Sequence, residues 1–135
     1  MTLLVDTSVW SLALRRDKPS DSSEVQTLRR ALEGEELIVT TSIIVQELLQ
    51  GFVGPRAKRE IVERFAALPV IAPDRQDHID AGELHNTCRR KGVQLGTIDA
   101  LLAQLCIRHE LVMLTTDKDF VNAASHCPLR TWQSA

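Results

Sequence analysis

The chain has 135 residues, a formal net charge of −2, 44% hydrophobic and 25% charged residues. That length allows one domain, 1–135, around a sizeable core. The composition is ordinary for a globular protein, and the charge excludes nucleic-acid binding driven by net charge alone. No apolar run approaches a membrane span and no charged-then-apolar leader opens the chain, so a cytoplasmic protein without a membrane partner is expected.

Leu3, Leu4 and Val5 form an apolar run long enough for a buried strand and too short for a helix. Asp6 follows at once, with the helix-capping residues Thr7 and Ser8 after it. An apolar strand that delivers a carboxylate into a capped helix start puts that acid at the carboxyl edge of a sheet, where ligands bind in open α/β folds. Asp6 could equally serve only as the helix N-cap.

Helical spacing over Ser8–Arg15 predicts a short helix, and Asp17–Ser23, with Pro19, a polar turn. Glu24–Leu32 reads as a second helix stopped by Gly34. Leu37–Val39 is a second strand, capped by Thr40, Thr41 and Ser42. The helix Ile43–Gln50 then carries Glu47 beside its apolar stripe. Gly54-Pro55 opens another helix running to Leu68. Pro69–Ala72 is a third apolar run read as a strand, and a long polar helix covers Arg75–Lys91. Gly96-Thr97 caps the helix Ile98–His109, apolar at Leu101, Leu102, Leu105 and Cys106. Leu111–Leu114 is the next strand, Phe120–Ala124 a short helix and Leu129–Trp132 a last edge strand. Short apolar strands alternating with helices predict one α/β domain with a largely parallel sheet of about five strands and helices on both faces.

Cys88, Cys106 and Cys127 are odd in number and widely spaced, without a CxxC pair; they read as structural residues rather than as a disulfide framework or a zinc site. The basic clusters Arg15/Arg16/Lys18, Arg56/Lys58/Arg59 and Arg89/Arg90/Lys91 read as solvated faces that could also supply phosphate contacts. Trp10, Phe52 and Trp132 belong either in the core or at an interface.

The acids are more informative. Asp6 ends the first strand, and Glu47 lies one and a half turns into the helix after the second. Asp99 is in the first turn after Thr97, and Asp117 follows the strand ending near Thr115. In a parallel sheet these places share one edge. Each acid alone could be a cap, a first-turn dipole partner, a surface ion pair or a turn residue. Together in one cleft they would repel one another and raise a carboxyl pKa. A divalent cation with a taste for hard oxygen relieves that repulsion, which points to Mg2+ or Mn2+ rather than zinc.

The segments LLVDTSVW, VQELLQG, TIDALLAQL and LTTDKDF, in this order along almost the whole chain, resemble the PIN-domain ribonucleases, and within them the VapC-type toxins of toxin–antitoxin pairs. The resemblance implies a PIN-like fold and a Mg2+-dependent endoribonuclease, with Mn2+ able to substitute, that cuts single-stranded segments of RNA. The family's acids fall at Asp6, Glu47, Asp99 and Asp117. Asp6, Asp99 and Asp117 would hold metal, partly through water, while Glu47 and Asp117 complete the shell or orient the attacking water. Thr7 and either Thr115 or Thr116 fall where the family has a hydroxyl lining the site, and Asp119 could share the role of Asp117. One or two Mg2+ ions held by the carboxylates lower the pKa of a bound water for in-line attack on a phosphodiester. The resemblance further implies a small antitoxin whose tail covers the groove, and a homodimer.

Two rivals remain. One is an acid-based phosphatase or phospho-receiver domain, although Ser8 stands where an aspartyl-phosphate phosphatase places a second Asp. The other is a binding module on the same fold without catalysis. His78, His85, His109 and His126 read as surface or helix residues with no part in the chemistry.

Overall fold

Leu3, Leu4 and Val5 are all fully buried. Successive strand residues point to opposite faces, so both faces of β1 (Thr2–Val5) are covered by other elements. The computed structural model of the chain describes residues 1–134. Its elements continue in the order α1 (Thr7–Leu14), α2 (Ser23–Leu32), β2 (Leu37–Val39), α3 (Ser42–Gly51), α4 (Pro55–Ala66), α5 (Arg75–Arg90), α6 (Thr97–Arg108), β3 (Val112–Leu114), α7 (Lys118–Ala123) and β4 (Arg130–Thr131).

The strands form one parallel sheet in the order β2-β1-β3-β4. Leu3 pairs with Ile38 on one side and with Val112 on the other, which makes β1 a central strand. The expected strand at Pro69–Ala72 shrinks to a single parallel bridge between Val70 and Thr40. It is held by Thr40 N–H to Pro69 O and by Ile71 N–H to Thr40 O, each 2.9 Å. Among the described residues the sheet thus has four strands and the trace of a fifth.

Helix α5 packs along α6, α3 along α4, and α1 against α2 and α3. One core runs through these layers, with Trp10, Phe120, Leu28, Ile44, Leu102 and Met113 fully enclosed. Trp10 resolves to the core: its ring lies 4.6 Å from that of Phe65, tilted by 52°. Phe52 and Trp132 are half-buried against the same core. Among the described residues no helix is long and apolar enough to cross a membrane.

The connections create the site. After β1 the chain passes through α1 and α2 to β2, on one side; after β3 it passes through α7 to β4, on the other. Adjacent strands whose connections leave in opposite directions open a crevice at their carboxyl ends, the switch point where open α/β sheets bind ligands. Asp6 follows β1 and the segment Thr115–Asp117 follows β3, so both line that crevice.

Candidate active site

Asp6 continues the sheet through its N–H, which donates to Leu114 O at 2.9 Å. It holds the N-cap position of α1, and its carbonyl accepts from Val9 N–H and Trp10 N–H. Its side chain makes no capping bond. Instead Oδ2 accepts from Ser8 Oγ at 2.7 Å and from Thr115 Oγ1 at 2.8 Å, in a position only 6% exposed. A cap alone would spend the carboxylate on backbone N–H groups; this one is spent on hydroxyls from the first turn of α1 and from the end of β3.

Glu47 sits midway along α3, half-buried. Its Oε1 accepts from Thr7 Oγ1 at 2.9 Å, so the first residue of α1 ties down an acid 40 positions away. Asp99 is the third residue of α6, also half-buried. Burial, and then the charges of Asp6, Asp117, Glu47 and Asp119 in that order, push its carboxyl up to about 6. Like charges near a half-buried carboxyl disfavour its ionised form, which is the direction of this shift.

Asp117 is the N-cap of α7, and its Oδ1 accepts from Asp119 N–H at 2.9 Å. It is half-buried, whereas Asp119 is exposed and acts on Asp99 least of the four. Thr115 is buried and reaches Asp6, while the Thr116 side chain is exposed and only its backbone N–H enters the site, donating to Ser8 Oγ at 3.2 Å. Of the open alternatives, Asp117 and Thr115 therefore stand inside the crevice, with Asp119 and the Thr116 side chain at its rim.

Ser8 is the residue that sequence reasoning missed. It reads, like Thr7, as a helix-capping residue, and its link to the β3–α7 loop depends on a strand pairing that brings Thr115, 107 residues away, beside it. The only local signal is that it follows a strand-end carboxylate by two residues.

The oxygen-only donor set of carboxylates and hydroxyls suits a hard divalent cation. Among the described residues, no three Asp, Glu, His or Cys side chains close on one point as ready-made ligands. The charges of the other acids all bear on Asp99 without forming a ready-made ligand set, an arrangement that suits ligation partly through water. A cavity of about 520 Å3 lies beside them, between α5, α6 and the start of α3, lined by Ile43, His78, Gly82, Thr97, Ile98 and Leu101 among others. No carboxylate lines it. His78, His109 and His126 are exposed and His85 half-buried, all outside the acidic crevice.

Two of the basic clusters meet in space. Arg16, just past α1, and Arg56, in the first turn of α4, both pair with Glu60. All three cysteines are free: Cys88 and Cys106 are buried and Cys127 is half-buried.

Fold and site together define an α/β domain with an acidic crevice at the switch point of a parallel sheet. The PIN domain family model matches residues 3–125, and the chain belongs to that family. Solved structures with the same fold include a chain of VapBC2 from Rickettsia felis, bound to a DNA fragment from their promoter, at 19% identity, 98% coverage of both chains and a TM-score of 0.75. A chain of VapBC-1 from nontypeable Haemophilus influenzae is 20% identical over 98% of this chain and 97% of that one, with a TM-score of 0.73. VapC20 of Mycobacterium tuberculosis, described as a sarcin-ricin loop cleaving toxin, is 20% identical over 95% and 98%, with a TM-score of 0.66.

Proposed function

We propose that the chain is a divalent-metal-dependent endoribonuclease of the VapC type, the toxin member of a toxin–antitoxin pair acting in the cytoplasm. The observation that carries this reading is the meeting of Asp6, Glu47, Asp99 and Asp117 at the switch point of a PIN-family fold, close enough for Asp99 to feel the other three.

Asp6, Asp99 and Asp117 are the proposed metal ligands, for Mg2+ with Mn2+ able to substitute. When bound, a divalent cation makes water a stronger nucleophile at neutral pH and offsets the charge that builds on a phosphodiester under attack. Glu47, with Oε1 held by Thr7, keeps Oε2 to orient the attacking water. Asp117, fixed as the cap of α7, sets the far wall of the crevice and is favoured over Asp119 by its burial. Arg56, Lys58 and Arg59 on α4 and Arg16 beyond α1 supply cations for RNA phosphates outside the acidic centre.

The partner is a small antitoxin that orders on binding and lays a basic side chain near the acids. The fold neighbours described as VapBC assemblies support such a partner. The toxin itself is proposed to be a homodimer, which light scattering of the purified chain tests.

The purified chain is expected to cleave structured RNA in Mg2+ or Mn2+ and to stop in EDTA. Asp6→Asn should abolish cleavage, by 100-fold or more on the scale of a lost electrostatic group in an active site. The Asp6 side chain makes no capping bond, and Asn keeps its size and one carbonyl oxygen able to accept from Ser8 and Thr115, so the fold should survive that change. Cleavage undiminished in Asp6→Asn or Asp99→Asn overturns the assignment. Trapping of an acyl-phosphate on Asp6 would replace it with the phosphatase reading, which the structure disfavours because Oδ2 of Asp6 already holds two hydroxyls.

A further inference from the structure

Each hydroxyl that holds Asp6 is itself held by the loop carrying Asp117. Thr116 N–H donates to Ser8 Oγ at 3.2 Å, and Ser8 Oγ donates to Asp6 Oδ2 at 2.7 Å. Asp117 N–H donates to Thr115 Oγ1 at 3.0 Å, and Thr115 Oγ1 donates to the same Oδ2 at 2.8 Å. A hydroxyl has one proton to give. Both protons are spent on Asp6, so the 3.4 Å approach of Ser8 Oγ to Thr115 Oγ1 is a contact between two acceptor-satisfied oxygens and not a further bond. The result is two parallel links of one polarity, running from backbone N–H through hydroxyl to carboxylate.

We propose that Ser8 and Thr115 are positioning residues that fix Asp6 as a one-oxygen metal ligand and set its place relative to Asp117. Oδ2 is committed to the two hydroxyls, and Oδ1 alone keeps its lone pairs for a cation or its water. The same two hydroxyls hold two successive peptides, Thr115–Thr116 and Thr116–Asp117, by their N–H groups, so the acids from β1 and from the β3–α7 loop are located by one clamp. The ordering of both side chains is thereby completed on folding and is not charged against metal binding. Neither residue touches the reacting atoms; each acts through Asp6 and the Asp117 backbone. This inference rests on the metal-dependent reading above.

Supporting partners of metal ligands affect affinity by about 10–100-fold when removed. The test is Mn2+ titration of the purified chain without RNA, followed by electron paramagnetic resonance, with thermal melts in EDTA alongside. Thr115→Val keeps the shape and removes the hydroxyl; Ser8→Ala removes the other. Each is expected to weaken Mn2+ binding by about 10-fold or more, while Thr115→Ser, which keeps the hydroxyl, stays within about 3-fold of the unaltered chain. RNA cleavage should follow the same ranking at low Mn2+ and recover in Thr115→Val at high Mn2+, because the ligands themselves remain. Unchanged Mn2+ affinity in folded Thr115→Val and Ser8→Ala overturns the clamp and leaves the nuclease reading standing. Equal losses in Thr115→Ser and Thr115→Val overturn it also, since the hydroxyl would then be irrelevant. An unaltered chain that binds no Mn2+ overturns both.

Discussion

Asp99 carries the cost of the crevice. A carboxyl that titrates near 6 when folded and at 3.8 in a free chain binds a proton in the folded state over the interval between. The folded chain then holds more protons than the unfolded one, so stability falls as pH rises from about 4 to 6 and stays lower above that. Asp99→Asn removes the penalty at pH 7. The favourable interaction of a first-turn acid with the helix dipole is lost at the same time. After allowance for solvent screening at a half-buried group, the net gain is of order 1 kcal/mol. A metal-free Asp99→Asn chain should therefore melt about 3–5 °C higher at pH 7 and close to the unaltered chain at pH 4, while losing nuclease activity. An unchanged or lower melting temperature at pH 7 would mean that the acids are less closely coupled than the geometry indicates. Stability gained where activity is lost is the expected sign of a functional acid cluster.

Helix α5 shows how an element distant from the acids still holds them. Asp74 and Asp77 form a reciprocal capping box at its start, and Asp77 also takes Arg108 from the end of α6. The buried carboxylate of Asp77 thus joins the two longest-packed helices, and α6 carries Asp99 at its other end. Asp77→Ala removes the Asp74 N–H acceptor and the ion pair together. Arg108 is 44% exposed and can return to water, so the cost should be about 2 kcal/mol rather than the 3–5 kcal/mol of a fully enclosed pair. Urea unfolding measures it, and the folded fraction should keep its nuclease rate. Elements of this kind were largely legible in the sequence: apolar spacing and caps placed every helix and the strands β1–β4 within one or two residues. The fifth strand was not, because Pro69 and Pro73 flank a run with few N–H groups to give a ladder, and only Thr40 remains as its partner. The acids were legible because strand ends and helix starts are marked by local residue types. Ser8 was not, since its bonds depend on β1 lying beside β3, and side-by-side order leaves no trace in local spacing. Nor did spacing separate Asp117 from Asp119, which differ only after folding, the first half-buried and the second exposed.

At the scale of the whole molecule, the sheet joins two distant parts of the chain, and metal should act on both at once. Mg2+ or Mn2+ at about 100 times its dissociation constant should add about 2.7 kcal/mol to stability. The melting temperature of the unaltered chain should rise accordingly, by several degrees, and that of Asp99→Asn by much less; equal rises in both would place the ion elsewhere. The central position of β1 has another consequence, one of timing. Thr115, whose hydroxyl holds Asp6, is made 109 residues after it. At about 5–20 residues per second, synthesis of that interval takes several seconds or more, and β1 has no β3 to lie against until it ends. The acidic crevice therefore cannot close on a half-made chain: Asp6 waits for β3, and the proposed centre is complete only after its second wall has been made.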